Sequence, residues 1–126
     1  MVYREPYGVM LIICPFNRPF MLSLHPAVAA LSAGNPCILK PSEALLATDE
    51  LLLELIPKYF EPESFSAVVG GRAVVTQHLT FPFDFMFLTG SVGVGKVVMP
   101  AATEHRAVTP PRMYPVSDCD SFTGTN

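Results

Sequence analysis

The densest chemical signal in the 126-residue sequence is Gly90-Ser91-Val92-Gly93-Val94-Gly95-Lys96, which follows a β-rich run and opens a helical one. Unpaired N–H groups at a helix start, with glycines that allow close approach, suit a phosphate. Two chemistries compete for this loop. Its spacing fits GxxxxGK, but Val97 stands where a P-loop needs the hydroxyl that holds Mg²⁺, and no apolar strand ending in Asp follows. The GxGxxG fingerprint is also absent, which leaves a variant dinucleotide site with the pyrophosphate near Ser91 and the helix N-terminus. A glycine-rich strand-to-helix turn that binds nothing is the structural alternative. Elsewhere the reactive side chains form no pattern. Cys14, Cys37 and Cys119 are odd in number and lack CxxC spacing, so neither a disulfide framework nor a zinc knuckle is expected. His25, His78 and His105 make no metal-ligand pattern.

The elements that must position such a loop alternate along the chain. Gly8 to Cys14 is a continuous apolar run, as a strand covered on both faces requires, and Pro15-Phe16-Asn17-Arg18-Pro19 breaks it. A helix apolar nearly all round is predicted from Phe20 to Ala33, stopped by Gly34-Asn35-Pro36. Cys37 to Leu39 is the second strand and Lys40 to Glu43 its exit loop. The next helix runs to about Phe60, with Leu52, Leu55, Ile56 and Tyr59 on one stripe. Phe65 to Val69 and Phe83 to Leu88 are the third and fourth strands, separated by Gly70-Gly71 and a short helix over Arg72 to His78. The last helix runs toward His105 with Pro100 inside it. Strands alternating with helices predict an α/β domain, a parallel sheet built of right-handed βαβ units. Ligands in such sheets sit at the carboxyl ends of the strands, and the polar and glycine-rich residues collect on that rim. Residues 106–126, rich in proline and without a helical stripe, are read as a poorly ordered tail.

Composition narrows the function. Apolar residues make up 50% and charged residues 15%, against about 25% charged in ordinary domains. The net charge of −3 offers no electrostatic footprint for nucleic acid. No apolar run approaches the ~18 residues of a membrane span, and Arg4 and Glu5 before Val9 do not suit a signal peptide. A reducing, cytoplasmic location is the default expectation from the cysteines.

Taken together the loops resemble the aldehyde dehydrogenase superfamily. Glu5-Pro6-Tyr7-Gly8-Val9 is similar to the family's EPxGV, and Pro15-Phe16-Asn17-Arg18-Pro19-Phe20 to its (W/F)NxP segment. Ala33 to Glu43 is similar to AGNxxxLKPSE, and Thr89 to Gly95 to TGSxxVG. Their order and separations also fit, from about Tyr3 to His105, and the resemblance is greatest to the branch that includes fatty and aromatic aldehyde dehydrogenases; it implies that residues 3–105 are a partial Rossmann-like NAD(P)-binding domain and that 106–126 do not continue the family.

The resemblance implies oxidation of an aldehyde to a carboxylate: a cysteine thiolate attacks the carbonyl, hydride passes to NAD(P)⁺, and a glutamate-activated water hydrolyses the thioester. Asn17 matches the family's oxyanion asparagine, whose amide N–H would stabilise charge developing on the aldehyde oxygen. Lys40 and Glu43 match the pair that hydrogen-bonds the adenosine ribose. A carboxylate there would repel a 2′-phosphate, which favours NAD while leaving NADP open. Ser91 matches the pyrophosphate serine within Gly90, Val92, Gly93, Val94 and Gly95, and Pro15, Phe16, Gly70 and Gly71 are expected along the cofactor cleft. Family members are usually homo-oligomers.

The departures bear on activity. The family's ELGG glutamate would fall near Pro111, and no ELGG occurs. The catalytic cysteine would lie beyond Asn126, and Cys119 has neither its surroundings nor its spacing. Cys14 and Cys37 are expected to be buried and inert. A truncated or frameshifted product, or an alternative exon, would give this pattern. The expectation is a family fragment that keeps part of the cofactor cleft and the oxyanion Asn but does not catalyse alone. A non-catalytic interaction fragment and a degenerate P-loop domain are the alternatives.

Overall fold

A computed structural model describes residues 3–105 and 107. The elements run β1 (Met10–Ile13), α1 (Pro19–Ser32), β2 (Cys37–Lys40), α2 (Leu46–Tyr59), β3 (Phe65–Ala67), α3 (Arg72–His78), β4 (Phe85–Leu88) and α4 (Val92–Glu104). All strand pairings are parallel, in the order β3-β2-β1-β4. The expected α/β sheet is therefore present, with β1, β3 and β4 shorter than the apolar runs suggested and β2 one residue longer. Backbone bonds extend the ladders past those ends: Cys14 N–H donates to Lys40 O (3.1 Å), Thr89 N–H to Ile13 O (3.0 Å) and Val68 N–H to Leu39 O (2.8 Å).

The chain moves from β1 outward to β2 and β3, then crosses back to place β4 on the far side of β1. With crossovers of one hand, this reversal puts α1 and α2 on one face and α3 and α4 on the other. Met10 and Ile12 of β1 join Ala27 and Ala30 of α1, Leu52 and Ile56 of α2, and Cys37, Leu39 and Phe65 in one core. Leu11 and Ile13 join Leu79, Phe83, Met86, Leu88, and Val98 and Ala102 of α4 in the other. The strict alternation along β1 explains why that strand reads as continuously apolar: each face meets a helical layer.

Three helices contain proline, at Pro26, Pro57 and Pro100. Pro26 has no N–H to give to the Leu22 carbonyl. The Cys14 thiol lies 3.5 Å from that oxygen and takes the donor's place. On α2, Leu52 and Ile56 are buried and Leu55 is half-buried, but Tyr59 is exposed, so the predicted stripe loses its last member. The core cluster on that face ends with Ile56 and Phe65, and the chain leaves the helix at Phe60 in extended conformation.

The segment before β1 is tied down by side chains. Asn35, buried, accepts from Gly8 N–H (3.1 Å) through Oδ1 and donates to Ala30 O (3.3 Å) through Nδ2. Asp84 accepts from Val9 N–H at 2.8 Å. Gly8 has φ +119°, and a Cβ there would collide with the Asp84 carboxylate. Among the described residues no helix is long and apolar enough to cross a membrane. The boundary and tail expected over 106–126 lie outside the described residues, apart from Ala107, whose N–H bonds Ala102 O at 2.9 Å.

Candidate functional site

β1 and β4 are neighbours whose connections leave in opposite directions, so their carboxyl ends open a crevice. A cleft of about 640 Å³ lies there. Cys14, Pro15, Phe16 and Asn17 come from the β1 exit, and Lys40, Pro41, Ser42 and Glu43 from the β2 exit. Thr89, Gly90, Ser91, Gly93, Val94 and Val97 come from the β4 exit and α4, while Arg72 and Val75 come from α3. Asn17, the Lys40–Glu43 loop and Ser91, far apart in the chain, thus line one cavity.

Lys40 is 4% exposed, an unusual state for a charged side chain. Its Nζ donates to Pro41 O (2.5 Å) and lies 3.6 Å from the exposed Glu43 carboxylate. A buried ammonium held this way keeps its donors at the cleft floor, while Glu43 supplies an acceptor at the mouth. Behind them sits Asp49, 6% exposed, with Oδ1 lacking a hydrogen-bond partner. Burial pushes its carboxyl above the ordinary range; the Lys40 charge opposes this and the Glu43 charge adds to it.

Ser91 caps α4. Its backbone is extended (φ −71°, ψ 159°) and its hydroxyl oxygen accepts from Val94 N–H at a long 3.5 Å. The structural reading of this serine therefore holds, and its O–H remains a donor that a phosphate could accept. Cys14 and Cys37 are both buried, and burial raises each thiol to about 11. For Cys14 the Ser23 hydroxyl and the Lys40 charge pull the other way without prevailing. Among the described residues no group of His, Cys, Asp and Glu could hold a metal. His78 Nδ1 lies 2.8 Å from Val74 O and His105 Nε2 3.2 Å from Leu79 O, both structural contacts.

Four of the expected cleft residues do not line it: Gly70, Gly71, Val92 and Gly95. The two glycines follow β3, the outer strand, two places from the crevice. Their work is the turn into α3: Gly70 has φ +141°, and a Cβ there would lie 2.5 Å from Val74 Cγ2. Gly95 is buried within α4, and Lys96, the lysine of the P-loop spacing, is exposed and also outside the lining. Arg72, Val75 and Val97 also line the cleft, where the sequence had placed none of them. Val75 and Arg72 share a face three residues apart, a signal visible once the α3 helix is placed.

Comparison with known proteins bears on this geometry. The family model for the aldehyde dehydrogenase family matches residues 1–110. Mouse (Mus musculus) aldehyde dehydrogenase family 3 member B1 is 46% identical over 104 residues, which cover 82% of this chain and 22% of that protein. The chain therefore spans about a fifth of the length of the curated relatives it matches. A substrate-bound Staphylococcus aureus AldH structure superposes with a TM-score of 0.81 at 40% identity, covering 83% of this chain and 23% of that one. A Mycobacterium tuberculosis aldehyde dehydrogenase complexed with NAD⁺ superposes at 0.72 with 33% identity, covering 84% and 22%. With the motif order, the parallel sheet and the family match over most of its length in agreement, the chain belongs to the aldehyde dehydrogenase family.

Proposed function

We propose that residues 3–105 form part of the NAD(P)-binding region of an aldehyde-oxidising enzyme, and that the cleft between β1 and β4 holds the cofactor. The observation that carries this reading is the convergence of Lys40, Glu43, Ser91 and the α4 N-terminus on one cavity at the sheet's crossover. The donor set fits a dinucleotide. Lys40 donates to a ribose hydroxyl and Glu43 accepts from one. The Ser91 hydroxyl and the first N–H groups of α4 suit the pyrophosphate. Val75 and Val97 give apolar walls against which a base can rest. When bound, NAD(P)⁺ supplies a hydride acceptor. The solved relative bound to NAD⁺ supports the same cofactor here. Asn17, at the β1 exit, offers an amide N–H to negative charge developing on an aldehyde oxygen.

By itself the chain is proposed not to oxidise aldehydes. Covalent catalysis needs a positioned thiolate and a base, whereas Cys14 and Cys37 are buried with raised pKa values. A reducing compartment such as the cytosol completes the reading. Saturation-transfer NMR with NAD⁺ tests it. Transfer to the adenosine protons, lost in a Lys40→Ala/Ser91→Ala double variant, is the expected result; no transfer from a chain shown folded by circular dichroism overturns retained binding. NADH formation from a panel of aldehydes, abolished by Asn17→Ala, would overturn the claim of inactivity.

A second reading has its own support. Phe20, Met21 and Val28 on α1 and Leu46, Leu51 and Leu53 on α2 are exposed, and β3 and β4 are sheet edges. Such surfaces promote association. Sedimentation showing concentration-dependent assembly favours this role, and a compact monomer removes it.

A further inference from the structure

We propose that Asp49 is a positioning residue for this cleft: its carboxylate, buried behind the Lys40–Glu43 loop, keeps the Lys40 ammonium charged and in place when Glu43 turns to a bound ligand. The inference rests on the dinucleotide reading above and adds to it a residue that does not itself line the cavity. The placement follows from the fold. The buried residues of α2 are Asp49, Leu52 and Ile56, which form its inward face. Leu52 and Ile56 pack in one core with Leu39, the neighbour of Lys40 on β2. A helix between parallel strands runs back along them, so the first turn of α2 lies by the carboxyl end of β2. Asp49 is the inward residue of that turn. Its N–H bonds Leu45 O at 3.0 Å, and Leu45 N–H returns to Ser42 O at 3.3 Å, so Lys40 and Asp49 end one short, tied segment.

The charges at that corner require a second carboxylate. Lys40 is buried, and its ammonium has three donors. One meets Pro41 O, and Glu43 stands 3.6 Å away, an ion pair too long for a good hydrogen bond. Glu43 is exposed and is also the acceptor proposed for a ribose hydroxyl, so it cannot serve both partners fully. A buried ammonium that loses its counter-charge is strongly disfavoured. Asp49 is the other carboxylate that interacts with the Lys40 charge. It lies beyond ion-pair distance, so it acts through its field and not by contact. The remaining ionisable residues of α2, Glu50, Glu54 and Lys58, are exposed, and the Cys14 thiol, also near Lys40, is neutral. Asp49 is buried with Oδ1 unpartnered, a placement that weakens the fold. A group that lowers stability and steadies a site residue is a recurrent trade of stability for function.

The test is isothermal titration of NAD⁺ into the chain and into its Asp49→Asn variant from pH 5 to 8. The sign of the effect discriminates. The dinucleotide is anionic, so removing a negative charge that acted on it directly would tighten binding. Positioning through Lys40 requires the opposite: Asp49→Asn is expected to weaken NAD⁺ by about 3–10-fold at pH 7.5. The wild-type advantage should shrink as the pH falls and Asp49 takes up its proton, whereas a merely structural role would leave the ratio constant. A second measurement needs no nucleotide. The ¹³Cε resonance of Lys40, followed by NMR across the same pH range, should show a step that Asp49→Asn removes. Tighter or unchanged binding by a folded Asp49→Asn chain, a pH-independent ratio, or a Lys40 resonance blind to the substitution overturns the proposal and leaves the dinucleotide reading standing. A folded wild-type chain that binds no NAD⁺ overturns that reading, and this inference with it.

Discussion

Two residues carry opposite lessons about strain. Gly8 occupies φ +119° with its missing Cβ directed at the Asp84 carboxylate that accepts from Val9 N–H. Alanine there would meet both an unfavourable backbone and a steric clash, costing about 2 kcal/mol or more. The expected outcome of Gly8→Ala is a fall in melting temperature of about 10 °C, read by circular dichroism. Asp49 is a liability of another kind. Its Oδ1 is buried without a partner, a cost of about 1–3 kcal/mol, against about 0.3–1 kcal/mol gained from its place in the first turn of α2. Asn keeps an oxygen at that place but removes the buried charge, so Asp49→Asn should stabilise the chain at neutral pH. The raised carboxyl pKa means that the folded state holds this proton more tightly than the unfolded one. Wild-type stability therefore declines as pH rises from the ordinary Asp value of about 4 through the folded value, and the Asn variant lacks that decline. Chemical denaturation across pH 4 to 8 should show the two diverging as pH increases; parallel curves would remove the assignment.

At the scale of elements, the turn from β4 into α4 joins stability to binding. Ser91 is both the cap of α4 and a phosphate donor in the proposed site. The cap bond is long at 3.5 Å, so Ser91→Ala should cost about 0.5–1 kcal/mol, at the weak end for capping residues. Binding should suffer separately: NAD⁺ affinity is expected to fall about 5–10-fold in the same variant, measured by calorimetry under conditions where both proteins are folded. Ser91→Gly tests the split, because glycine is a tolerable cap but no donor. It should recover most of the stability and none of the affinity. The β3-to-α3 turn shows the converse, glycines whose observed work is the turn itself. Gly70 and Gly71 turn the chain from the outer strand across the sheet, and it is the residue after them, Arg72, that reaches the cleft.

For the whole molecule, two cores on either side of one sheet decide which reactive groups meet solvent. Cys14 and Cys37 lie in the same core, with thiol pKa values of about 11 instead of 9.0. Their thiolate fraction at neutral pH is thus about 100-fold below that of an ordinary cysteine. In a Cys119→Ser variant, alkylation by iodoacetamide at pH 7.5 should proceed only as fast as the fold opens and should become rapid in denaturant. Fast labelling of either thiol in the folded chain would contradict the burial. The cleft forms where the order of strands reverses: Ile13 and Cys14 of the two cores line it, together with the exits from β1, β2 and β4, α4 and the start of α3.

The sequence by itself determined the alternation of strands and helices, because covered strands must be apolar on both faces and helices must stop at Gly34-Asn35-Pro36 and begin beyond Ser91. It also carried the motifs around Asn17, Lys40, Glu43 and Ser91, since each is a contiguous string of residues whose local chemistry survives translation into a list. What only the tertiary structure decided is which of these strings share a cavity. Strand order is a long-range property: the return of the chain from β3 across β1 to β4 brings residues 17 and 91 to one crevice and leaves Gly70 and Gly71 two strands away. The burial of Lys40 and Asp49 and the appearance of Arg72 in the lining follow from the same crossing. No local pattern encodes them, because they depend on which surfaces the sheet brings together after it forms.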